Sequence, residues 1–328
     1  MKVLYKFNGF IERWMPFVTP ICLVIGILFS SVFGRFAVIV PFLFAFMTFA
    51  GSLGSGFGDM KKIAANPLPL LVTLFVLHAW MPILAFGTAN FLFPSHPYFI
   101  TGIVLEFVVP TGVVSLVWVS IYKGNEALTI SIILVDTLLS PLLVPLTLKL
   151  LIGSTVAVDA MGMIKDIVFM IAVPALLGMI LHQVTKGEIK KTLSPKLAPF
   201  SKIGLIAVVT INSTKVAPFV KEMNPLLLAV AATILLLAST GYIWSWLASR
   251  LLKADYGTTL AMTVNGGMRN ISAGAVLALR YFPGEVMFPV MIGTLFQQIL
   301  VANTVNILRR REGKRIAKET TGAGKSDE

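Results

Sequence analysis

Apolar runs of about 20 residues recur along the whole chain, divided by short stretches that collect glycines, prolines and charges. The pattern predicts ten membrane-spanning helices, at 14–33, 36–56, 67–93, 98–121, 126–152, 161–184, 199–218, 225–249, 257–281 and 285–308. Two of them are interrupted. Val109-Pro110-Thr111-Gly112 breaks span four, and Asn265-Gly266-Gly267-Met268-Arg269-Asn270 breaks span nine. Pro110 lacks an amide hydrogen and clashes with the preceding turn. Gly112, Gly266 and Gly267 tolerate backbone angles that other residues avoid. Each break frees amides and carbonyls, which at membrane depth must face protein or a wet cavity. Each also creates a half-helix N-terminus, whose free amides and partial positive charge suit an anion. An organic anion is therefore expected between residues 111–115 and 269–272.

The halves of the chain echo one another. Asn66-Pro67-Leu68-Pro69-Leu70-Leu71-Val72 is matched by Asn224-Pro225-Leu226-Leu227-Leu228-Ala229-Val230 at an offset of 158, which also carries Pro110 to Met268. Five spans per copy is an odd number, so the second copy is upside down relative to the first. The expected organisation is two inverted five-helix repeats, 1–153 and 154–308, followed by a disordered, basic, cytoplasmic tail at 309–328. Broken helices at matching places in inverted halves point to a transporter site at the membrane midplane.

Composition agrees with this pattern. Hydrophobic residues make up 56% of the chain, charged residues only 13%, and the mean hydropathy is +0.87. A soluble domain carries about 25% charged residues. The net charge of +12 sits in short loops and the tail, so nucleic acid is not an expected partner. Twenty of the 27 lysines and arginines fall on one side of the ten spans and six on the other, with Arg269 inside a span. That split places both termini in the cytoplasm of a multi-pass protein of the cell membrane. The first apolar run is full length and lacks a small-residue cleavage site, so no cleavable signal peptide is expected. Cys22 is the only cysteine, which rules out an intrachain disulfide or thiolate cluster. His78, His96 and His182 share no metal-binding spacing, and there is no nucleotide loop or catalytic set. The chain is not expected to be an enzyme or to hold a cofactor.

Ionisable residues inside spans are functional hypotheses by default, because burial in the membrane is costly. Asp136 in span five and Arg269 at the second break are the two most central, and an ion pair between them is the economical arrangement. It would serve either ion or substrate coupling, or simply hold two spans together. His78, Glu106 and Asn212 are further residues that could line a cavity. A lone histidine on an apolar helix is more often a structural donor, and Glu106 could sit shallow and reach the surface. Gln297, Gln298, Asn303 and Asn306 read as interhelical hydrogen-bonding groups.

Several stretches resemble the bile acid:sodium symporter family. They are Met81-Pro82, Pro110-Thr111-Gly112-Val113-Val114-Ser115, Lys123-Gly124-Asn125-Glu126-Ala127-Leu128-Thr129, Ser140-Pro141-Leu142-Leu143-Val144-Pro145 and Gly267-Met268-Arg269-Asn270, in matching order and spacing through nearly the whole chain. The resemblance implies ten spans in two inverted repeats, with broken helices crossing in spans four and nine. It implies a core domain of spans 3–5 and 8–10 and a panel domain of spans 1, 2, 6 and 7, rocking against each other for alternating access. Substrate would bind between them, at Thr111, Gly112, Val113, Asn270 and Ser272.

The departures concern the family's cation site behind the crossing. Ser115 and Thr129 remain, but Leu116 stands for an Asn, Ile133 for a hydroxyl, Asn265 for a Glu, Arg269 for a Gln and Leu77 for a Gln. A hard cation needs several oxygen ligands and usually a carboxylate. Ser115, Thr129, Asp136, Asn265 and Arg269 are thus either an ion site or its replacement, with the Arg269 charge in place of sodium and Asp136 as its counter-ion. The implied function is a secondary transporter of small or amphipathic organic anions, with sodium coupling altered or absent. Proton coupling through Asp136 competes with that pairing, because a nearby arginine favours the ionised carboxylate. A sodium-coupled symporter and a non-transporting ligand sensor are the alternatives.

Overall fold

The computed structural model describes residue 18, residues 21–54, residue 56 and residues 67–323, with side chains described as far as Arg311. The expected start of span one, Lys2, Lys6, Arg13, Lys61, Lys62, Asn66 and residues 324–328 lie outside the described residues. Among the described residues all regular structure is helical.

The helices are α1 Ser30–Ser52, α2 Leu68–Leu92, α3 Pro97–Val108, α4 Ser115–Ile121, α5 Glu126–Ile152, α6 Ala160–Val184, α7 Ser194–Lys221, α8 Pro225–Leu251, α9 Tyr256–Gly267, α10 Ile271–Tyr281 and α11 Gly284–Ala323. Among the described residues seven stretches are long and apolar enough to cross a membrane: α1, α2, α5, α6, α7, α8 and the part of α11 to Arg311. The stretches 98–121 and 257–281 are each divided into two shorter helices, α3 and α4 in the first and α9 and α10 in the second. Each half is too short to cross alone. The last helix continues through Ala323, beyond the expected boundary at 308.

Local sequence explains many of the helix starts. Asn125 accepts from the Leu128 amide at 3.0 Å, Asn224 from Leu227 at 3.0 Å, and Asn270 from Ala273 at 3.3 Å. Asp159 and Asp255 cap α6 and α9 in the same way. A side-chain oxygen at this position satisfies an amide that the first turn leaves free. Two helices carry a π-turn, Val76–Trp80 in α2 and Val168–Ala172 in α6. Each is followed by Pro82 or Pro174, which cannot donate to the carbonyl four residues back.

Helix α1 packs on α6 and α7, whereas α3 packs on α2 and α11, α8 on α9 and α11, and α5 on α6 and α9. Outward-facing Leu71, Ile83 and Phe91 on α2, Leu142 and Leu150 on α5, and Leu228 and Leu236 on α8 are exposed. An apolar surface this extensive suits lipid rather than water.

Close approach fixes one glycine. A Cβ on Gly102 would lie 2.5 Å from the Val286 carbonyl, which is backbone and cannot swing aside. Gly102→Ala is therefore expected to lower stability by about 1–3 kcal/mol. Gly87→Ala in α2, with nothing within 4 Å, should be neutral or slightly stabilising. Thermal unfolding of the two variants in detergent checks the contrast.

Candidate functional site

The two breaks have the same backbone form. Val109 after α3 and Met268 after α9 are both extended, with ψ of 149° and 144°. The chain then turns back into helix at Ser115 and at Ile271, the latter capped by Asn270. The breaks meet. The Asn270 amide donates to the Pro110 carbonyl at 2.8 Å. The Thr111 hydroxyl donates to the Asn265 carbonyl at 2.8 Å and contacts the Met268 carbonyl at 3.3 Å. A Cβ on Gly112 would come within 3.1 Å of the Arg269 carbonyl. Groups freed by one interruption are thus paired by the other, as a buried break requires.

Behind the crossing lies a closed polar network. Ser115 Oγ donates to Asn265 Oδ1 at 2.7 Å, and Asn265 Nδ2 donates to Thr129 Oγ1 at 3.1 Å and the Ala261 carbonyl at 2.8 Å. The Arg269 guanidinium folds back on its own break, donating through Nη1 to the carbonyls of Gly266 at 2.8 Å and Met268 at 3.1 Å. The Arg269 amide donates to Gln297 Oε1 at 2.8 Å, and the Phe107 ring centroid is 6.0 Å from its Cζ. Its Nε and Nη2 are buried without a hydrogen-bond partner.

Asp136 does not form the expected ion pair with Arg269. One of its oxygens accepts the Thr111 amide at 2.6 Å, and the other lies 2.5 Å from His78 Nε2. The physical reason is local. The first break leaves the Thr111 amide without a helical partner, and a carboxylate is the strongest acceptor for it. Arg269 remains within electrostatic reach of Asp136 and Glu106, without contact.

A cavity of about 310 Å³ lies between α1, α6 and α7 on one side and the two breaks, α5 and α11 on the other. Gly112, Val113, Arg269, Asn270, Ser272 and Asn212 line it, with Lys202, Thr137, Gln297 and Gln298. Among the described residues of this wall none is a carboxylate. Thr111, Ser115, Thr129, Asp136 and Asn265 sit behind it, all but closed to solvent. His78 is likewise outside the wall, held against Asp136. Glu106 is buried, not shallow, with Oε1 against Gly293 and Oε2 unpartnered.

Sequence reasoning counted Lys202 with the cytoplasmic-side charge and did not place it at the site; it lies within α7 and lines the cavity. Gln297 makes the interhelical hydrogen bond expected of it, accepting the Arg269 amide of the second break. Among the described residues no cluster of His, Cys, Asp and Glu could hold a metal.

Apolar helices around a polar, cation-bearing cavity, with two interrupted helices joined at its floor, define a membrane transporter rather than an enzyme. The chain belongs to the sodium bile acid symporter family, whose family model matches residues 40–223. It is 45% identical over 300 residues to the uncharacterized protein YbaS of Bacillus subtilis (strain 168), covering 92% of this chain and 98% of that one. It is 24% identical over 328 residues to the uncharacterized sodium-dependent transporter YocS of the same organism, covering 100% and 99%. It is 28% identical over 225 residues to the probable sodium/metabolite cotransporter BASS1, chloroplastic, of Oryza sativa subsp. japonica, covering 68% of this chain and 54% of that one.

Proposed function

We propose that this secondary transporter carries small organic anions across the cell membrane by alternating access, without sodium as the coupling ion. The observation that carries the reading is the cavity wall. It joins Arg269 and the capped N-terminus of α10 to amides and hydroxyls, and among the described residues it contains no carboxylate. A positive floor under a partly apolar wall suits a carboxylate attached to a short apolar body. A volume of about 310 Å³ is at the lower end for ligand pockets, which favours small acids over sterols.

In this reading α3 with α4 and α9 with α10 are spans four and nine of a ten-span inverted repeat. Helices α1, α6 and α7 belong to the panel, and the breaks belong to the core. Both termini are cytoplasmic, in keeping with the positive-inside rule. Loss of sodium coupling is supported by two contacts. The Asn265 amide nitrogen donates where the family has a carboxylate, and the Arg269 guanidinium occupies the Gly266 and Met268 carbonyls. A second reading, sodium-coupled symport, draws on the name of YocS.

Uptake of labelled mono- and dicarboxylates and one bile salt into proteoliposomes, with and without a sodium gradient, separates the two. Sodium-independent uptake of a small carboxylate is the expected result. Uptake that requires sodium would overturn the coupling statement. Absence of counterflow for every acid would overturn transport in favour of a sensor.

A further inference from the structure

We propose that His78 and Asp136 form a proton-binding site wired to the first helix break, so that a proton takes the coupling role. The inference deepens the transport reading above and rests on it for its biological meaning.

The geometry is specific. His78 Nε2 and Asp136 Oδ1 are 2.5 Å apart, with side chains only 9% and 0% exposed. A nitrogen and an oxygen that close must share a proton. The imidazole supplies it from Nε2, which leaves Nδ1 as a bare lone pair. That atom is buried without a hydrogen-bond partner. One proton passed from hydronium to Nδ1 forms an N–H bond, breaks one hydronium O–H bond and leaves water; the imidazole becomes imidazolium and the pair moves from a net charge of −1 to zero. Histidine is the side chain whose charge changes most readily near neutral pH, and buried His and acidic groups in membrane spans recur as proton relays.

The pair is placed to transmit this change. The second Asp136 oxygen accepts the Thr111 amide at 2.6 Å, and the Thr111 hydroxyl reaches the Asn265 and Met268 carbonyls of the other break. A new positive charge on His78 draws carboxylate charge toward Oδ1 and loosens the hold of Oδ2 on Thr111. The next residue, Gly112, lines the cavity. His78 also lies in the π-turn Val76–Trp80, and Pro82 cannot donate to its carbonyl. Such turns hold a helix in a strained register and concentrate at functional sites. The other ionisable groups facing this region are Arg269 at the second break, Glu106 on α3 and Tyr242 on α8. Arg269 acts electrostatically on Asp136, Glu106 and Tyr242. Glu106 Oε2 is likewise buried without a partner, but Glu106 does not touch Asp136 or Thr111, so a His78→Gln variant separates the two groups.

The test has two arms. The full chain, labelled with ¹⁵N-histidine and held in lipid nanodiscs, is titrated by NMR between about pH 5 and pH 8. One of three histidine signals should show a strongly downfield Nε2 proton and a titrating Nδ1. It should vanish in His78→Gln and lose its downfield shift in Asp136→Asn. In proteoliposomes, an alkaline interior should accelerate uptake of whichever labelled carboxylate the wild type exchanges. In His78→Gln the ratio of gradient-driven uptake to counterflow should collapse to its value without a gradient. A His78 signal indifferent to pH, or a His78→Gln protein that keeps the gradient response, overturns the proposal. A titrating His78 in a protein that moves none of the acids sinks the transport reading instead and leaves the proton site standing.

Discussion

Asp136→Ala is expected to abolish uptake and to cost about 2–6 kcal/mol of stability, roughly 1–3 kcal/mol for each of the two buried donors it leaves without an acceptor. The carboxylate is completely buried, with His78 on one oxygen and the Thr111 amide on the other. Truncation leaves both donors facing alanine at membrane depth. The Thr111 amide belongs to the first break, so the loss is felt where the two interrupted helices touch. Asp136→Asn separates charge from shape. Its amide oxygen can still accept from Thr111, and one neutral hydrogen bond contributes about 0.5–1.5 kcal/mol. The asparagine variant should therefore fold better than the alanine variant. Thermal unfolding in detergent with proteoliposome uptake checks both. An alanine variant that melts at the wild-type temperature would show that Asp136 does not secure the break.

The second large effect is a gain. The double variant Asn265→Glu with Arg269→Gln should acquire sodium binding that the wild type lacks. Arg269 now occupies the Gly266 and Met268 carbonyls, and Asn265 presents an amide donor to Thr129. Exchanging both frees two carbonyl oxygens, adds a carboxylate, and leaves Ser115 and Thr129 hydroxyls at hand. That is the oxygen-rich set a hard cation requires. Leu77 and Leu116 still withhold two ligands, so the site should be weak. Sodium at a hundredfold excess over its dissociation constant would stabilise the protein by about 2.7 kcal/mol. A melting temperature that rises with sodium chloride but not potassium chloride, in the double variant alone, is the expected result. Wild-type protein stabilised by sodium would refute the idea that these two residues displaced it.

The helical class and the two interruptions were readable from the chain, because each depends on local chemistry. Proline alone did not decide them, since Pro141 and Pro145 sit inside α5; the polar, glycine-bearing runs Pro110-Thr111-Gly112 and Asn265-Gly266-Gly267 did. Asn125, Asn224 and Asn270, which no periodicity marks, cap because an amide oxygen reaches the amide three residues ahead. What failed to show was the choice of partner. Asp136 and Arg269 are the two most conspicuous charges, and pairing them satisfies a one-dimensional view. In space the carboxylate sits behind the first break and the guanidinium turns onto the second. The π-turn that positions His78 has no sequence period of its own. Lys202 was counted only as cytoplasmic-side charge because charge counting ignores how far a long side chain can extend from within a helix.

The joint between the breaks has a mechanical meaning. An amide of one interruption is bonded to a carbonyl of the other, and a threonine hydroxyl ties them again. Two strands of backbone so coupled move as one piece. Spin labels at exposed Val117 on α4 and at Ser272 on α10 should keep a single narrow separation through the transport cycle. A pair spanning the cavity from Thr48 on α1 to Ser272 should give two populations whose weights shift with pH and substrate. The single native thiol, Cys22, is buried, so cysteines introduced for such labels would react against a quiet background.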